Sequence, residues 1–318
     1  MTIPSDALVT VIGGSGFLGR YIVQQLAEAG MRIRVVCRNP DAALFLKPLG
    51  GLGQIQLLRG DVTNDAGLAR AFEGAFAGVN LVGILAESGK QTFAATQAQG
   101  AARAAQAAAA AGVAHYVQMS AIGADAASAI PYARSKGEGE AAVLAAIPTA
   151  TVLRPSLVAG PEDQFFNRFA QMAKLAPVLP VIAGDALFQP VYVRDVAAAT
   201  LAALERADAK GRVFELGGPE VLSFRAILQL INRETGLDRP LFELSPLSAK
   251  LLAMAGDFLP FMPMNSDQLA MLVQGNVVAP GMPGLADLGV APTPLGAFLP
   301  QQLARFVTGG RFQAQKAA

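Results

Sequence analysis

Cysteine and histidine are almost absent: one of each occurs among 318 residues. With Cys37 alone, an intramolecular disulfide is excluded, and so is a zinc site built on several thiolates. With His115 alone, a histidine-rich metal site falls away too, so no metal is expected. Charge is scarce as well, since Asp, Glu, Lys and Arg make up 15%, against roughly 25% in an average soluble domain. The net balance of +1 provides no general attraction to nucleic acid or to an anionic membrane. Two readings of that scarcity stay open, dilution by an alanine-rich composition and a surface covered by a partner.

The first residues, Met1 to Asp6, lack the basic and apolar regions of a signal peptide. They also lack the arginine-rich start of a mitochondrial presequence, so the chain is expected to stay in the compartment where it is made. Residues 104–124 carry no formal charge, but Gly112, His115, Tyr116 and two glutamines fall within them. That window reads as an Ala-rich helix followed by a buried strand, not as a membrane span.

What the chain does have is alternation. Apolar runs at 7–12, 33–37, 55–58, 79–85, 116–119 and 151–153 are separated by helix-like stretches near 17–29, 64–73, 92–111 and 133–146. This order predicts βαβ units and a doubly wound parallel α/β sheet of Rossmann type. After about residue 156 the segments become Pro-interrupted, at Pro161, Pro177, Pro180 and Pro190, with further helices near 193–205 and 224–235. We therefore expect residues 1–156 to form the nucleotide-binding domain, with 187–206 returning to it. Residues 157–186 and 207–318 are expected to form a smaller C-terminal lobe.

The first apolar run leads into Gly13-Gly14-Ser15-Gly16-Phe17-Leu18-Gly19 and directly into a helix. Glycines at 13, 16 and 19 allow a tight turn, backbone approach to a pyrophosphate and close helix–strand packing. The pyrophosphate would rest on the free N–H groups of the helix N-terminus. An NAD site usually carries Asp or Glu at the end of the second strand. Here that strand ends Cys37-Arg38-Asn39, and Arg38 is placed to pair with a 2′-phosphate, so NADP(H) is favoured as the cofactor. Cys37 reads as a small buried residue. After the third strand, Asp61-Val62 could accept a bond from adenine or cap the next helix, and the two roles are compatible.

Ser120 closes the fifth strand, and Tyr132 and Lys136 lie four apart on the following helix. A tyrosine beside an ammonium and an oxidised nicotinamide is expected to titrate below its ordinary value near 10. It could then move a proton while Ser120 orients a substrate oxygen. His115 reads as a ring capping a strand edge.

These motifs together, with Asn80-Leu81-Val82-Gly83, resemble the short-chain dehydrogenase/reductase superfamily in its extended or atypical branch. A closer resemblance rests on Arg154-Pro155-Ser156, on Gly160-Pro-Glu-Asp-Gln-Phe-Phe-Asn-Arg168 and on Phe188-Gln-Pro-Val-Tyr-Val193 with Asp195. Gly275-Asn-Val-Val278 and Gly309-Gly-Arg-Phe312 add to it. Over residues 7–312 the chain resembles the NADPH-binding accessory subunits of respiratory complex I, in their bacterial form. That resemblance implies a nucleotide held without turnover, on the peripheral arm and on the cytoplasmic side of the inner membrane. It implies cofactor contacts from Gly13, Ser15, Gly16, Phe17, Leu18, Gly19, Arg38, Asp61 and Val62. Further contacts would come from Leu81, Val82, Gly83, Ser120, Tyr132, Lys136, Pro155, Leu157 and Val158. Many catalytic members carry Asn-Ala-Gly where this chain has Asn80-Leu81-Val82-Gly83, so Ser120, Tyr132 and Lys136 read either as a vestigial triplet or as the site of a stand-alone NADP-dependent reductase, epimerase or dehydratase.

A last pattern lies near the C-terminus. Residues 246–258 project Leu247, Leu251, Met254, Ala255 and Phe258 to one side of a helix, widened by Leu252 and Leu259. Lys250 and Asp257 remain on a narrow polar strip, and five of the nine methionines fall between Met254 and Met282. Such a surface suits docking to a partner protein at the membrane edge, or else it caps the small lobe's own core.

Overall fold

The computed structural model describes Pro4 and residues 6–256 and 265–307. The β-branched and apolar runs form a seven-stranded parallel sheet. Its strands are β1 (Leu8–Ile12), β2 (Arg32–Cys37), β3 (Ile55–Arg59), β4 (Ala77–Asn80), β5 (His115–Met119), β6 (Thr151–Pro155) and β7 (Val213–Leu216). The order across the sheet is β7-β6-β5-β4-β1-β2-β3. The direction of winding reverses between β1 and β4, where a doubly wound sheet opens a crevice at the strands' carboxyl ends. The expected α/β fold class is the one observed.

Helices cover both faces because their small residues allow it. In α1 (Phe17–Glu28), Ile22, Val23 and Leu26 are buried. After α2 (Asp65–Phe72), α3 (Gln99–Ala110) buries Ala101, Ala104, Ala105 and Ala108. In α4 (Pro131–Ala146), Gly139 lies where a Cβ would fall 2.6 Å from the carbonyl oxygen of Gln97. Only glycine permits that approach, which brings α4 hard against the segment preceding α3.

Three boundaries differ from the sequence expectation. The run at 79–85 stops being strand at Asn80, because the Asn80 side chain turns back to accept from Val82 N at 3.2 Å. The stretch 92–111 is not one regular helix: Ala94–Ala98 is a π turn ahead of α3. Val213–Leu216 pairs with β6 in the main sheet instead of joining the smaller lobe.

The chain divides into two compact units. The first comprises residues 1–155, 193–216 and 279–291, so 207–216 and 279–291 leave the smaller lobe expected from sequence, while 187–192 fall in the second unit. It includes α6 (Val193–Glu205). The second comprises 156–192, 217–278 and 292–318. Its elements are α5 (Phe166–Leu175), α7 (Phe224–Thr235), α8 (Pro246–Gly256), α9 (Ser266–Gln274), α10 (Leu299–Leu303) and short strand pairs. Its core gathers Phe166, Phe188, Phe224, Ile227, Ile231 and Leu303.

In that unit the Gly160–Arg168 string is a structural staple. Buried Asp163 accepts from Gly160 N at 3.2 Å, from Phe166 N at 2.7 Å and from the Gln302 side chain of α10. Of the apolar stripe on α8, Leu247, Leu251 and Met254 are exposed, whereas Ala249 and Ala253 are buried. Asp257, Phe258 and Leu259 lie outside the described residues, as does Gly309-Gly-Arg-Phe312.

Candidate functional site

The glycine turn is built by backbone. Gly13, at φ +78°, donates to Val36 O at 2.9 Å, and Gly16 N donates back to Gly13 O at 3.1 Å. A Cβ on Gly19 would fall 2.5 Å from the Gly14 backbone, so the turn and the first helical residues of α1 touch directly. Gly16 is exposed and its missing Cβ would meet only Gly13 O, at 3.3 Å. The N-terminus of α1 carries no side-chain cap and no acid in its first turn. Its donors are therefore unspent on the protein, as an anion site requires. Phe17 and Leu18 open the helix half-buried, with the Phe17 ring 6.1 Å from Tyr21, edge to face.

Around this turn the remaining expected residues take different places. Arg38 is exposed just beyond β2. Cys37 beside it is buried, and that burial pushes its thiol up despite a bond to the Ser15 hydroxyl, which leaves it an inert small residue. Asp61 spends Oδ1 on Thr63, accepting from its N at 2.9 Å and its hydroxyl at 2.8 Å. The cap of α2 is Asn64 instead, which accepts from Gly67 N at 3.0 Å. Val62 is buried, packed beneath Gly100 in the same core cluster as Ile12 and Val36. Leu81 and Val82 are half-buried, and Val82 lies over Gly13, 3.2 Å from where a Cβ would stand. Pro155 ends β6 and accepts from Ile122 N at 3.1 Å. Leu157 and Val158 belong to the second unit.

Ser120, Tyr132 and Lys136 all belong to the first unit. Ser120 follows β5, with its N donating to Leu153 O at 2.7 Å and its side-chain hydroxyl buried without a partner. Lys136 is 7% exposed, and its Nζ reaches Met119 O at 3.5 Å. Burial pushes this amine down to about 8, against the pull of Glu140 one turn along α4. Tyr132 packs edge to face on Phe93 at 5.9 Å. Its phenol is pushed up to about 12 by burial, so the lowering expected from Lys136 does not appear. Loss of water favours the neutral form of a phenol and of an amine alike, which moves the two groups in opposite directions.

No local pattern singles out Gln97, which sits in the π turn, a geometry that recurs at functional sites. It is 2% exposed, its Nε2 donates to Ser135 Oγ at 3.0 Å, and its Oε1 has no partner. Ser135 in turn donates to Tyr132 O at 2.8 Å. Gly83 lies beneath this group: a Cβ there would stand 3.0 Å from Lys136 Nζ and 3.2 Å from Gln97 Oε1. Behind α4, Arg154 holds Glu140 with two bonds at 2.9 and 2.6 Å and lies 3.5 Å from Glu215. Among the described residues no group of three or more His, Cys, Asp or Glu is placed to hold a metal ion.

A glycine turn on an uncapped helix, a serine beyond β5 and a Tyr-x-x-x-Lys helix define a nucleotide-binding α/β protein. The chain belongs to the NAD dependent epimerase/dehydratase family, which matches residues 9–217. Along nearly its whole length it is similar to "NADH dehydrogenase [ubiquinone] 1 alpha subcomplex subunit 9, mitochondrial" of Arabidopsis thaliana. The two are 33% identical over 320 residues, which cover 96% of this chain and 79% of that one. The ceramide reductase of Caulobacter vibrioides is 34% identical over 202 residues, covering 64% of this chain and 62% of that protein. An NADPH-dependent quinone oxidoreductase of Escherichia coli, solved with NADPH, shares the fold. Its TM-score is 0.73 at 22% identity, over 91% of this chain and 97% of that one.

Proposed function

We propose that this chain is an accessory subunit of a respiratory NADH:quinone oxidoreductase, complex I, and holds NADP(H) as a structural ligand without turnover. The observation that carries this reading is the similarity to a complex I subunit over 96% of the chain. The glycine turn supports nucleotide binding: Gly13, Ser15, Gly16 and Gly19 with the first N–H groups of α1 would take the pyrophosphate. Arg38 would take the 2′-phosphate, and Ser120, Tyr132 and Lys136 would line the nicotinamide end. When bound, NADP(H) is a hydride carrier. The protein's own groups do little to exploit that: burial holds the Tyr132 phenol neutral, a poor proton acceptor near neutral pH, and leaves Lys136, lowered to about 8, largely protonated there. Its place would be the cytoplasmic side of a bacterial inner membrane, held through peripheral-arm subunits. Among the described residues no helix is long and apolar enough to cross a membrane. The exposed residues Leu247, Leu251 and Met254 of α8 suit such protein docking.

The test is purification of the tagged chain from its native membranes in mild detergent, with mass spectrometry of its partners and chromatography of the extracted nucleotide. Stoichiometric recovery of NADH:quinone oxidoreductase subunits together with NADP(H) is expected. Recovery of the chain alone would overturn the reading.

One observation favours a second reading, a stand-alone reductase. The Ser120 hydroxyl is buried without a partner, as an orienting donor for a substrate oxygen would be. On that reading Tyr132→Phe abolishes a measurable turnover and leaves nucleotide bound.

A further inference from the structure

Arg38 is not alone at the strand edge where the extra phosphate of NADP(H) would lie. β3 runs parallel to β2 with Arg59 opposite Cys37, so the two strands end side by side. Arg59 Nε donates to the carbonyl oxygen of Arg38 at 3.3 Å. This bond lays the Arg59 head group against the backbone of Arg38 and, among the described residues, leaves its two terminal nitrogens without a hydrogen-bond partner. Both side chains are exposed, and among the described residues neither guanidinium pairs with a carboxylate. The edge is continuous with the phosphate turn, because Ser15 bonds Cys37 and Gly60 N donates to Cys37 O at 3.0 Å.

Two cations at one edge repel each other, and solvent screens that repulsion without rewarding it. A phosphate monoester carries about −1.5 to −2 charges near pH 7 and three strong acceptors, and guanidinium forks bind it with parallel bonds. We propose that Arg59 is a second ligand of the 2′-phosphate, forming with Arg38 a two-arginine clamp that sets the preference for NADP(H) over NAD(H). This rests on the NADP(H) reading above and deepens it.

The purified full chain is titrated by calorimetry with NADPH, NADH, 2′,5′-ADP and 5′-AMP. For Arg59→Gln, NADPH and 2′,5′-ADP are expected to weaken roughly tenfold, with NADH and 5′-AMP held within about twofold. Arg59→Lys, which keeps the charge and loses the fork, should fall between. Equal loss for NADPH and NADH would overturn the clamp and give Arg59 a role in the fold or at the adenine. So would unchanged NADPH affinity in Arg59→Gln while Arg38→Gln loses it. Should the unsubstituted chain bind NADH as tightly as NADPH, the NADP(H) reading itself fails and the clamp with it. Selective loss by Arg38→Gln with none by Arg59→Gln leaves the reading standing and removes only the clamp.

Discussion

Lys136 and Tyr132 titrate in opposite senses, and the folded protein should report both. Lys136 sits at about 8 against an ordinary 10.5. Between those values the unfolded chain keeps a proton that the folded chain has released, so stability rises with pH. The rise is on the order of 3 kcal/mol when complete. Tyr132, moved from 10 to about 12, acts the other way: above pH 10 the unfolded chain loses a proton that the folded chain retains, and stability falls. Lys136→Met is therefore expected to flatten the rise in urea-unfolding stability between pH 8 and 10 without moving the decline above it. An identical slope in the variant would show that the amine is not desolvated. The Tyr-x-x-x-Lys spacing could be read from sequence because four residues are one helical turn. Its protonation could not, since the groups that bury it come from several distant segments.

At the scale of elements, the joint between α4, β6 and β7 is ionic. Glu140 and Glu215 are almost wholly buried, with side-chain exposures of 7% and 6%, and Arg154 serves both. Glu215 also accepts from Ala279 N at 2.8 Å, which ties in the returning segment 279–291. Removing the arginine strands two buried carboxylates, a change that typically costs 3–5 kcal/mol. Arg154→Met should cost about 3 kcal/mol in chemical denaturation, because the guanidinium keeps some contact with water. A loss below about 1 kcal/mol would mean that water satisfies both acids. This joint also explains the misplaced seventh strand. Val213-Phe-Glu-Leu216 carries a charge mid-run and reads poorly as buried strand until its arginine partner is known. Helices α1–α4 and α6–α8 and the first six strands were legible because each repeats its period over enough residues, whereas α5, α9 and α10 were not expected. The π turn and the end of β4 were not legible, because Gly139 packs on the π turn from a distant helix and the Asn80 bond to Val82 N leaves no mark on the apolar pattern.

At the scale of the whole molecule, a ligand that binds only the folded chain stabilises it by mass action. On the proposed reading NADPH at a thousandfold excess over Kd contributes roughly 4 kcal/mol. Thermal melting with and without NADPH measures this directly. Arg38→Ala is expected to lose most of the shift while melting normally without nucleotide, because Arg38 is exposed. An undiminished shift in the variant would remove Arg38 from the site.

By itself the sequence determined the glycine turn, the alternation that winds the sheet, and the residues that share a face of α4. Each of these is set by φ/ψ freedom or by side-chain period over a few neighbouring residues. Only the tertiary structure decided that burial lowers the Lys136 amine and raises the Tyr132 phenol, that Gln97 comes near Lys136, that β7 joins the main sheet and that Arg59 lies beside Arg38. Those outcomes depend on desolvation and on pairing between residues distant along the chain, and no local pattern encodes them.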